Sequence, residues 1–387
     1  MKLITLLLFL LPAIGFSQAF TFNQGGPVEK KYYAEIPYET VNGKIILAGE
    51  IAGRQHRFLL DTGAPVAISK DLATELNALQ TGKTTIHDTF LHSDSIGIVK
   101  LNGITLGNIT FNQIPAITLF PDFYKCYGVD GVIGSNLLRN SIISIDSKRH
   151  LIILTDQKNK LNLKSKNSTD LISNIGPQSD PQIKIVLKNK LTLTIPFDTG
   201  DNAFLRLNDK TINDLKQYAL FDTLAKGYGS SGLSLLGLQE PATKYLYKVA
   251  PINIGNGSFI NLAAESNKTA IPAIGSRILD YGIATLDFIH GKFYFDAYEP
   301  KVDVYEKRFP VTLVYTNNKL VIGVVWDKAD PLLKQGQQIM EVDGVTCGVV
   351  TLCEMLTNKP VLEGKNKVVL TIVDSQQHIH KVPMTGE

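Results

Sequence analysis

The tripeptide Asp-Thr-Gly occurs twice in this chain, each time directly after an apolar run, and this repeat constrains the fold more than any other feature. The first copy lies in Phe58–Ala64 and the second in Ile195–Asp201. An apolar strand that ends in this way carries its aspartate, Asp61 or Asp198, into a buried position. Because a single Asp-Thr-Gly also fits an ordinary turn, the two copies need a joint explanation.

The threonine and the glycine of each copy have predictable structural roles. The hydroxyl groups of Thr62 and Thr199 are suited to hold the turn that follows the aspartate. Gly63 and Gly200 permit backbone conformations and close approaches that a larger residue would prevent. We therefore expect two similar loops, each of which presents one carboxyl group.

A second repeated element follows each tripeptide. Asp130–Leu138 reads Asp-Gly-Val-Ile-Gly-Ser-Asn-Leu-Leu, and Ile271–Leu279 reads Ile-Pro-Ala-Ile-Gly-Ser-Arg-Ile-Leu. The isoleucines before the Gly-Ser pairs, Ile133 and Ile274, lie 72 and 76 residues after the preceding aspartate. The chain thus contains a duplicated unit, and each copy carries one Asp-Thr-Gly and one apolar-Ile-Gly-Ser element.

These two elements, found twice in the same order and at similar spacing, resemble those of the pepsin-like and retropepsin-like aspartic proteases. The resemblance covers roughly residues 32–295. It implies a mainly β fold with two homologous acid-protease-type β-barrel lobes, in which Asp61 and Asp198 are the catalytic residues. It also implies that Thr62 and Thr199 interlock across the lobe interface. The residues expected to pack behind the aspartate loops are Ile133, Gly134, Ile274 and Gly275.

The chemistry implied by the resemblance uses two carboxyl groups that share one proton, because two carboxyls held together cannot both ionise cheaply. The ionised carboxyl takes a proton from a water molecule, while the protonated one polarises the peptide carbonyl and later supplies a proton to the leaving amine. Such a pair titrates as a unit, so neither Asp61 nor Asp198 is given a fixed role. No metal ion or other cofactor is expected.

The residue after each glycine departs from the pepsin-like pattern, in which a Ser or Thr hydroxyl lowers the pKa of the adjacent carboxyl. Here the position holds Ala64 in the first copy, as in retropepsins, and Asp201 in the second. The missing donor and a nearby ionised Asp201 would both raise the pKa values of the pair. We then expect an activity optimum at about pH 5–6 rather than pH 2. Alternatively, Asp201 points to solvent.

Residues 84–101 are predicted to form a hairpin with a polar tip. The resemblance implies that a hairpin at this place folds over the substrate as a flap, which we place at residues 85–98. Pepsin-like flaps carry a tyrosine, whereas the only aromatic residue here is Phe90. An ordinary surface hairpin would explain the same pattern.

The chain divides into a leader, two lobes and a C-terminal domain. We expect a signal peptide at 1–18, lobe 1 at 19–156, a linker at 157–180, lobe 2 at 181–298 and a C-terminal domain at 302–387. The leader has one lysine, a largely apolar run of nine residues at 3–11 and small residues before a cleavage point near residues 17–18, which predicts export to the periplasm or the medium of a bacterium. A run of nine residues is too short to span a bilayer, and no later stretch is long enough, so stable membrane insertion is not expected.

The C-terminal domain resembles a PDZ domain. Ala329–Gly344 reads as a short helix, a glycine turn, an apolar strand and an Asp-Gly turn, followed by a helix at Leu352–Leu356 and a strand at Lys367–Val373. No glycine occurs between Gly291 and Gly323, so the loop with which such domains capture a peptide carboxylate is not evident. Addition of a peptide strand to a sheet edge remains open.

Composition limits the partners and the cysteine chemistry. The net charge is +3 without a long basic run, so nucleic acid is not an expected partner. Three cysteines are too few for a disulfide scaffold in a chain of 387 residues. Cys347 and Cys353 either pair with each other or remain buried thiols, and Cys126 is expected to be a buried apolar residue.

Three functions remain open. The first is a monomeric exported aspartic endopeptidase that acts on polypeptides, with the PDZ-like domain docking a substrate or a partner. The second is a catalytically silent peptide-binding protein on the same scaffold. The third is a structural β-rich protein whose repeats reflect only duplication.

Overall fold

The computed structural model describes residues 20–387 except 89, 91, 119–120, 175, 189–190, 235, 268–270 and 375. The predicted signal peptide and its cleavage point therefore lie outside the described residues. The described chain is mainly β, with two β-barrel lobes, which confirms the predicted fold class. Its helices are short, and among the described residues none is long and apolar enough to cross a membrane.

Lobe 1 is built from strands that bury alternate side chains. Its strands are β1 (Gly26–Pro27), β2 (Tyr33–Val41), β3 (Lys44–Ile51), β4 (Arg54–Asp61), β5 (Ala67–Ile68), β6 (Gln80–His87), β7 (Ser93–Leu101), β8 (Ile104–Leu106), β9 (Ile109–Asn112), β10 (Ile114–Ile117), β11 (Gly131–Gly134), β12 (Ile142–Asp146) and β13 (Leu151–Thr155). Its helices are α1 (Lys70–Glu75), α2 (Ser135–Leu138) and a 3-10 helix at Asp122–Tyr127. In β2, Ala34, Ile36 and Tyr38 are buried between exposed neighbours, as expected for a strand with one face on the core.

Lobe 2 repeats this plan. Its strands are β14 (Ser168–Ile172), β15 (Gln182–Leu187), β16 (Leu191–Asp198), β17 (Leu205–Asn208), β18 (Phe221–Gly229), β19 (Leu233–Ser234), β20 (Gly237–Leu238), β21 (Ala242–Val249), β22 (Ile252–Ile254), β23 (Gly257–Ile260), β24 (Ala263–Asn267), β25 (Ala273–Gly275), β26 (Gly282–Asp287), β27 (Lys292–Ala297) and β28 (Lys301–Asp303). Its helices are α3 (Asp209–Leu215) and 3-10 helices at Lys216–Tyr218 and Ser276–Tyr281.

The segment predicted as a linker, 157–180, has structure of its own. It contains 3-10 helices at Lys158–Lys160 and Ser165–Asn167, and then strand β14. This strand pairs with β15 and with β27, and its Leu171 is buried. Strand β14 therefore belongs to lobe 2, whereas Pro177 and Gln178 accept hydrogen bonds from Phe22 and Ser135 of lobe 1.

An antiparallel sheet joins the two lobes, in the order β2-β13-β12-β26-β27-β14. At its centre, the equivalent strands β12 and β26 of the two lobes pair directly, with Ile143 opposite Leu286. Both side chains are buried in one core cluster that runs through both lobes. This shared sheet fixes the lobes relative to each other and thereby the distance between their aspartate loops.

The duplicated motifs form the same strand pair in each lobe. Strand β4, which ends at Asp61, runs parallel to β11, with Asp61 opposite Gly134. Strand β16, which ends at Asp198, runs parallel to β25, with Asp198 opposite Gly275. The spacing between the two motifs of each copy is therefore the length of chain needed to return to the neighbouring parallel strand.

The C-terminal unit, residues 304–387, has its own apolar core. Its elements are β29 (Val311–Thr316), β30 (Lys319–Trp326), β31 (Ile339–Val342), β32 (Val345–Thr346), α4 (Leu352–Thr357), β33 (Lys367–Val373) and β34 (Ile379–Thr385). Strands β32, β31, β33 and β34 form one sheet in that order. The predicted helix at Leu352–Leu356 and the strand at Lys367–Val373 are both present.

The short helix predicted within Ala329–Gly344 is wrong, because this stretch forms turns. The Asp330 carboxylate accepts a hydrogen bond from the Leu332 backbone N–H at 2.9 Å, and the Asp330 carbonyl accepts one from Leu333 at 2.9 Å. An aspartate side chain that bonds to the backbone two residues on favours a turn over a helix. The buried Leu333 then holds this turn on the core of the C-terminal unit.

Strand β30 connects the C-terminal unit to lobe 2. One edge of β30 pairs with β29, and at residues 324–326 its other edge pairs with β18 of lobe 2. Trp326, the only tryptophan of the chain, is buried there against Ala225 and Leu246 of lobe 2. A peptide strand therefore cannot add to this part of β30, because both of its edges are already paired.

The cysteine pairing differs from both alternatives drawn from the sequence. Cys126, in the 3-10 helix of lobe 1, forms a disulfide with Cys353 of α4, and Cys347 is a free thiol. The bridged residues are 227 positions apart, so only the packing of α4 on lobe 1 brings them together. Cys126 is thus a covalent anchor for the C-terminal unit rather than a buried apolar residue.

Candidate active site

The two Asp-Thr-Gly loops face each other at the interface of the lobes. Their aspartates, Asp61 and Asp198, are called the dyad below. Strand β4 reaches Asp61 through three apolar residues that are each 1% exposed, which places the carboxyl at the end of a rigid strand. In each loop the glycine N–H donates to the aspartate, from Gly63 to Asp61 and from Gly200 to Asp198, both at 2.9 Å. The duplicated sequence therefore produces two matching carboxyl sites.

The threonines of the two loops interlock, as the resemblance implied. The Thr62 hydroxyl donates to the Phe197 carbonyl at 2.7 Å, and the Thr199 hydroxyl donates to the Leu60 carbonyl at 3.0 Å. Each hydroxyl also accepts the other threonine's backbone N–H at 3.0 Å. Since both threonines are fully buried, these four hydrogen bonds link the loops without competition from water.

The two carboxyl groups lie close together. The charge of Asp198 raises the pKa of Asp61, and each carboxyl lies against the glycine of the opposite loop. A Cβ atom on Gly63 would lie 2.6 Å from the carboxyl carbon of Asp198, and one on Gly200 would lie 2.5 Å from that of Asp61. Glycine is therefore needed in each loop so that the opposite carboxyl can approach.

The second repeated element supports each loop from behind. A Cβ atom on Gly134 would collide with the carbonyl of Ala64, and one on Gly275 would collide with that of Ala203. The serine that follows each glycine also binds its loop, because Ser135 N donates to the Ala64 carbonyl at 3.1 Å. In lobe 2, the equivalent Ser276 N donates to the Asp201 carbonyl at 2.7 Å. Ile133 and Ile274 are fully buried beside them.

Burial is the main cause of the electrostatic state of the dyad. It raises the pKa of Asp61 well above its usual value, and the charge of Asp198 raises it further. Burial also raises the pKa of Asp198, followed by the charge of Asp201. The nearby Lys44 ammonium opposes these effects on both pKa values. The pair is thus suited to hold a single proton above strongly acidic pH.

Asp201 does not point to solvent, so the structure supports the first of the two alternatives for this residue. Its side chain is 12% exposed and forms an ion pair with Arg206 at 2.5 Å, while its other carboxylate oxygen accepts the Ala203 N–H at 2.9 Å. The Arg206 cation lowers the pKa of Asp198 and so partly offsets the effect of Asp201. Ala64 makes hydrogen bonds only through its backbone, as expected from a residue without a polar side chain.

Two hairpins cover the dyad. The predicted hairpin of lobe 1 is formed by β6 and β7, and Phe90 at its tip lines the cavity above the dyad. The matching hairpin of lobe 2, β18 and β21, extends to the small β19–β20 ribbon. The tips meet, because the Leu236 N–H donates to Asp88 at 3.3 Å and the Phe90 ring lies against Gly232. The role of Phe90 in substrate binding stays a prediction.

The dyad opens into a cavity of about 750 Å³, which is within the size range of ligand-binding clefts. On the lobe 1 side it is lined by the aromatic residues Phe123 and Tyr124. Charged residues, which include Asp180 and Arg206, line it as well. Burial raises the pKa of Asp180 to about 6. A bound chain would therefore meet both apolar and charged side chains in this cavity.

Sequence reasoning missed several residues of this site. Lys44 donates a hydrogen bond to the carbonyl of Gly200, which places its cation beside the dyad. Tyr124 is buried nearby, and burial together with the charges of Asp61 and Asp198 raises the pKa of its phenol. These residues belong to no repeated motif. The aromatic run around Phe123 was the one available signal for Tyr124.

One other cluster of potential ligands lies outside the cavity. Asp374, His378 and His380 of the C-terminal hairpin have their side-chain oxygen and nitrogen atoms within 4.8 Å of one another. Asp374 also accepts the backbone N–H groups of Gln376 and His378, at 2.8 and 2.9 Å. These bonds are those of an aspartate that stabilises a hairpin turn. The absence of a metal site stays a prediction.

Comparison with known proteins gives a family match within lobe 1. The aspartyl protease family profile matches residues 47–137, which contain the first Asp-Thr-Gly and the first Ile-Gly-Ser element. The two lobes have an aspartic protease-like fold. No curated protein matches the sequence.

Solved structures similar to this aspartic protease-like chain include plant and bacterial proteins. Basic 7S globulin from soybean is 12% identical over 68% of this chain and 94% of its own, with a TM-score of 0.38. A retropepsin-like aspartic protease from Rickettsia conorii is 21% identical over 32% of this chain and 90% of its own, with a TM-score of 0.24. The protein edgp is 9% identical over 70% of this chain and 96% of its own, with a TM-score of 0.42.

Proposed function

We propose that this protein is an aspartic endopeptidase that hydrolyses peptide bonds with a water molecule activated by Asp61 and Asp198. The observation that carries the proposal is that these two partly buried carboxyl groups face each other on interlocked, matching loops at the floor of a cleft. Two acids held this close share one proton, and this state supplies a base and an acid together. The family match to residues 47–137 supports a peptidase-type function.

The mechanism follows from the shared proton. The ionised carboxyl accepts a proton from a water molecule between the two side chains, and the water oxygen attacks the peptide carbonyl carbon. The protonated carboxyl donates a hydrogen bond to the carbonyl oxygen as negative charge develops there. A proton then passes to the leaving nitrogen, the C–N bond breaks, and the dyad returns to its singly protonated state. No metal or cofactor takes part in these steps.

The context proposed for this activity is extracytoplasmic. The N-terminal pattern of a lysine, an apolar run and small residues supports export. The Cys126–Cys353 disulfide is consistent with an oxidising compartment. Because one chain supplies both aspartates, we propose that a monomer is sufficient for activity on polypeptide substrates.

Cleavage of an unfolded protein at pH 3–7, with and without pepstatin, tests the proposal. Pepstatin-sensitive cleavage by the wild type and its loss in Asp61→Asn are the expected results. Asp222→Asn is a matched control, because Asp222 lies in an Asp-Thr pair that lacks the glycine and is exposed on β18. Cleavage that persists in Asp61→Asn would exclude the dyad mechanism. Pepstatin binding without cleavage at any pH would instead favour the silent peptide-binding protein.

A further inference from the structure

A helix from outside the two lobes borders the cavity that contains the dyad. Met355 and Leu356, both in α4 of the C-terminal unit, line this cavity together with Asp61 and Asp198. Both side chains are partly buried. A substrate chain that reaches the dyad would therefore contact the C-terminal unit as well as the lobes.

This helix is held in place on lobe 1 by three kinds of interaction. Cys353 of α4 is bonded to Cys126, which lies in the same 3-10 helix as Tyr124 of the cavity wall. The Leu356 carbonyl accepts a hydrogen bond from the Asn42 side chain at 2.8 Å. The Leu356 side chain packs on an apolar cluster of lobe 1. Covalent, polar and apolar contacts thus fix α4 at the cleft.

The contact continues from α4 toward the dyad. The Asn42 carbonyl accepts a hydrogen bond from the Asn202 side chain at 2.7 Å, and Lys44, two residues after Asn42, donates to the carbonyl of Gly200. The turn between β2 and β3 is therefore held between the end of α4 and the second aspartate loop.

The chemistry of this wall identifies what it would bind. Leu356 shares its apolar cluster with Ala64, Phe123 and Tyr124, which all line the same side of the cavity. A pocket with these walls recognises an apolar side chain by burying it. Charged side chains, including Asp201 and Arg206, line another part of the cavity.

We propose that Met355 and Leu356 are specificity-determining residues, which complete a subsite for an apolar side chain of the peptide on the lobe 1 side of the dyad. This inference rests on the proposed endopeptidase function. It gives the C-terminal unit a role in the cleft through α4. A peptide strand could not add to β30 at residues 324–326, because both edges of the strand are paired there. The Cys126–Cys353 disulfide holds α4 on lobe 1 and so keeps these two residues at the subsite.

Cleavage-site profiling of an unfolded-protein digest by mass spectrometry tests this subsite. At one substrate position, Leu356→Ala should shift the preference from leucine-sized toward larger aromatic side chains by about tenfold, since small changes in pocket size alter selectivity to this extent. Val349→Ala is the matched control, because Val349 belongs to the same unit and is 79% exposed. An unchanged profile for Leu356→Ala would overturn the proposal. So would an equal rise in rate at every site, which would mean that α4 obstructs the cleft.

Removal of the disulfide provides a second, independent test of the subsite. The double variant Cys126→Ser, Cys353→Ser should change the preference at the same substrate position, whereas Cys347→Ser, which removes the free thiol, should not. A profile of the double variant equal to that of the wild type would contradict the role of the bridge. Thermal unfolding of each variant verifies that it is folded at the assay temperature.

Pepstatin binding separates failure of this inference from failure of the proposed function. If the wild type cleaves no protein, the proposed endopeptidase activity is contradicted. The contribution of Leu356 to ligand binding in the cavity can then still be tested by calorimetry. Leu356→Ala should weaken pepstatin binding by about tenfold, while Val349→Ala should leave it unchanged. If the wild type cleaves but the cleavage profile does not respond to Leu356→Ala, only the subsite is refuted.

Discussion

Asp201 and Lys44 place opposite charges beside the paired carboxyls. The Asp201 anion raises the pKa of Asp198, and the Lys44 cation lowers it. At the scale of single residues, the pH at which the dyad holds one proton is therefore set by neighbours as well as by burial. Of these two, Asp201 could be singled out from the sequence because it follows a repeated glycine. Lys44 could not, because it reaches the dyad from a turn in another part of lobe 1.

Removal of the Asp201 charge and removal of the Lys44 charge should shift the pH–rate profile in opposite directions. Asp201→Asn removes a negative charge, so the ionised dyad becomes easier to form and both limbs of the pH–rate profile shift to lower pH. Lys44→Met removes a positive charge and should shift both limbs to higher pH, whereas Lys44→Arg keeps the charge. Measurement of kcat/KM as a function of pH checks this. Shifts in the same direction for Asp201→Asn and Lys44→Met would contradict the assigned electrostatics.

Asp180, in the cleft, should make stability depend on pH. Burial raises its pKa from the usual 3.8 to about 6, so the folded state binds the proton more tightly than the unfolded state does. The associated stability is present below about pH 4 and is lost as the pH rises through about 6. Asp180→Asn should therefore be more stable than the wild type at pH 7 by about 1–3 kcal/mol, but not at pH 4.

Urea unfolding at pH 4 and pH 7 measures this difference. The exposed Asp222→Asn serves as its control and should behave like the wild type at both pH values. A stability gain for Asp180→Asn that is equal at pH 4 and pH 7 would show that loss of ionisation is not its cause.

At the scale of elements, the parallel strand pairs β4–β11 and β16–β25 position the site. Sequence reasoning could place these pairs because each has a repeated, apolar signature. It could not place the contacts of segments without a repeat, such as the 3-10 helix that carries Tyr124. The turn at Asp330 shows a further limit, because a side chain that bonds to its own backbone outweighed an apparent helical pattern.

Gly134→Ala should disrupt the first strand pair. The added methyl group would collide with the Ala64 carbonyl, so the loop of Asp61 must move. We expect a loss of stability of about 1–3 kcal/mol, as for overpacking of a core, together with loss of cleavage. Gly82→Ala, in β6, is the matched control, because its methyl group would meet no atom within 4 Å. Thermal unfolding and kcat/KM are the readouts, and equal behaviour of the two variants would contradict this role of Gly134.

At the scale of the whole molecule, the C-terminal unit is joined to both lobes. Its strand β30 pairs with β18 of lobe 2, and its helix α4 is bonded to lobe 1 through Cys126–Cys353. The sequence predicted this unit, its helix α4 and its strand β33. The attachment could not be read from the sequence, because it depends on pairings between residues about 100 to 227 positions apart.

The only tryptophan reports on this attachment. Trp326 is buried between the C-terminal unit and lobe 2, so its fluorescence should change when the two separate. In urea, the fluorescence and far-UV circular dichroism transitions of the wild type should coincide. The double variant Cys126→Ser, Cys353→Ser should show the fluorescence transition first, while Cys347→Ser should resemble the wild type. An earlier fluorescence transition in the wild type would mean that the unit is only loosely docked.

The central claim is that Asp61 and Asp198 act as one unit, and kcat/KM of their single and double asparagine variants tests it most directly. On one peptide substrate at pH 5, each single variant should lose activity by at least about a thousandfold. The double variant should lose little more, because residues that act together give non-additive losses. Retention of activity within tenfold by either single variant, or independent losses that multiply in the double variant, would contradict the account.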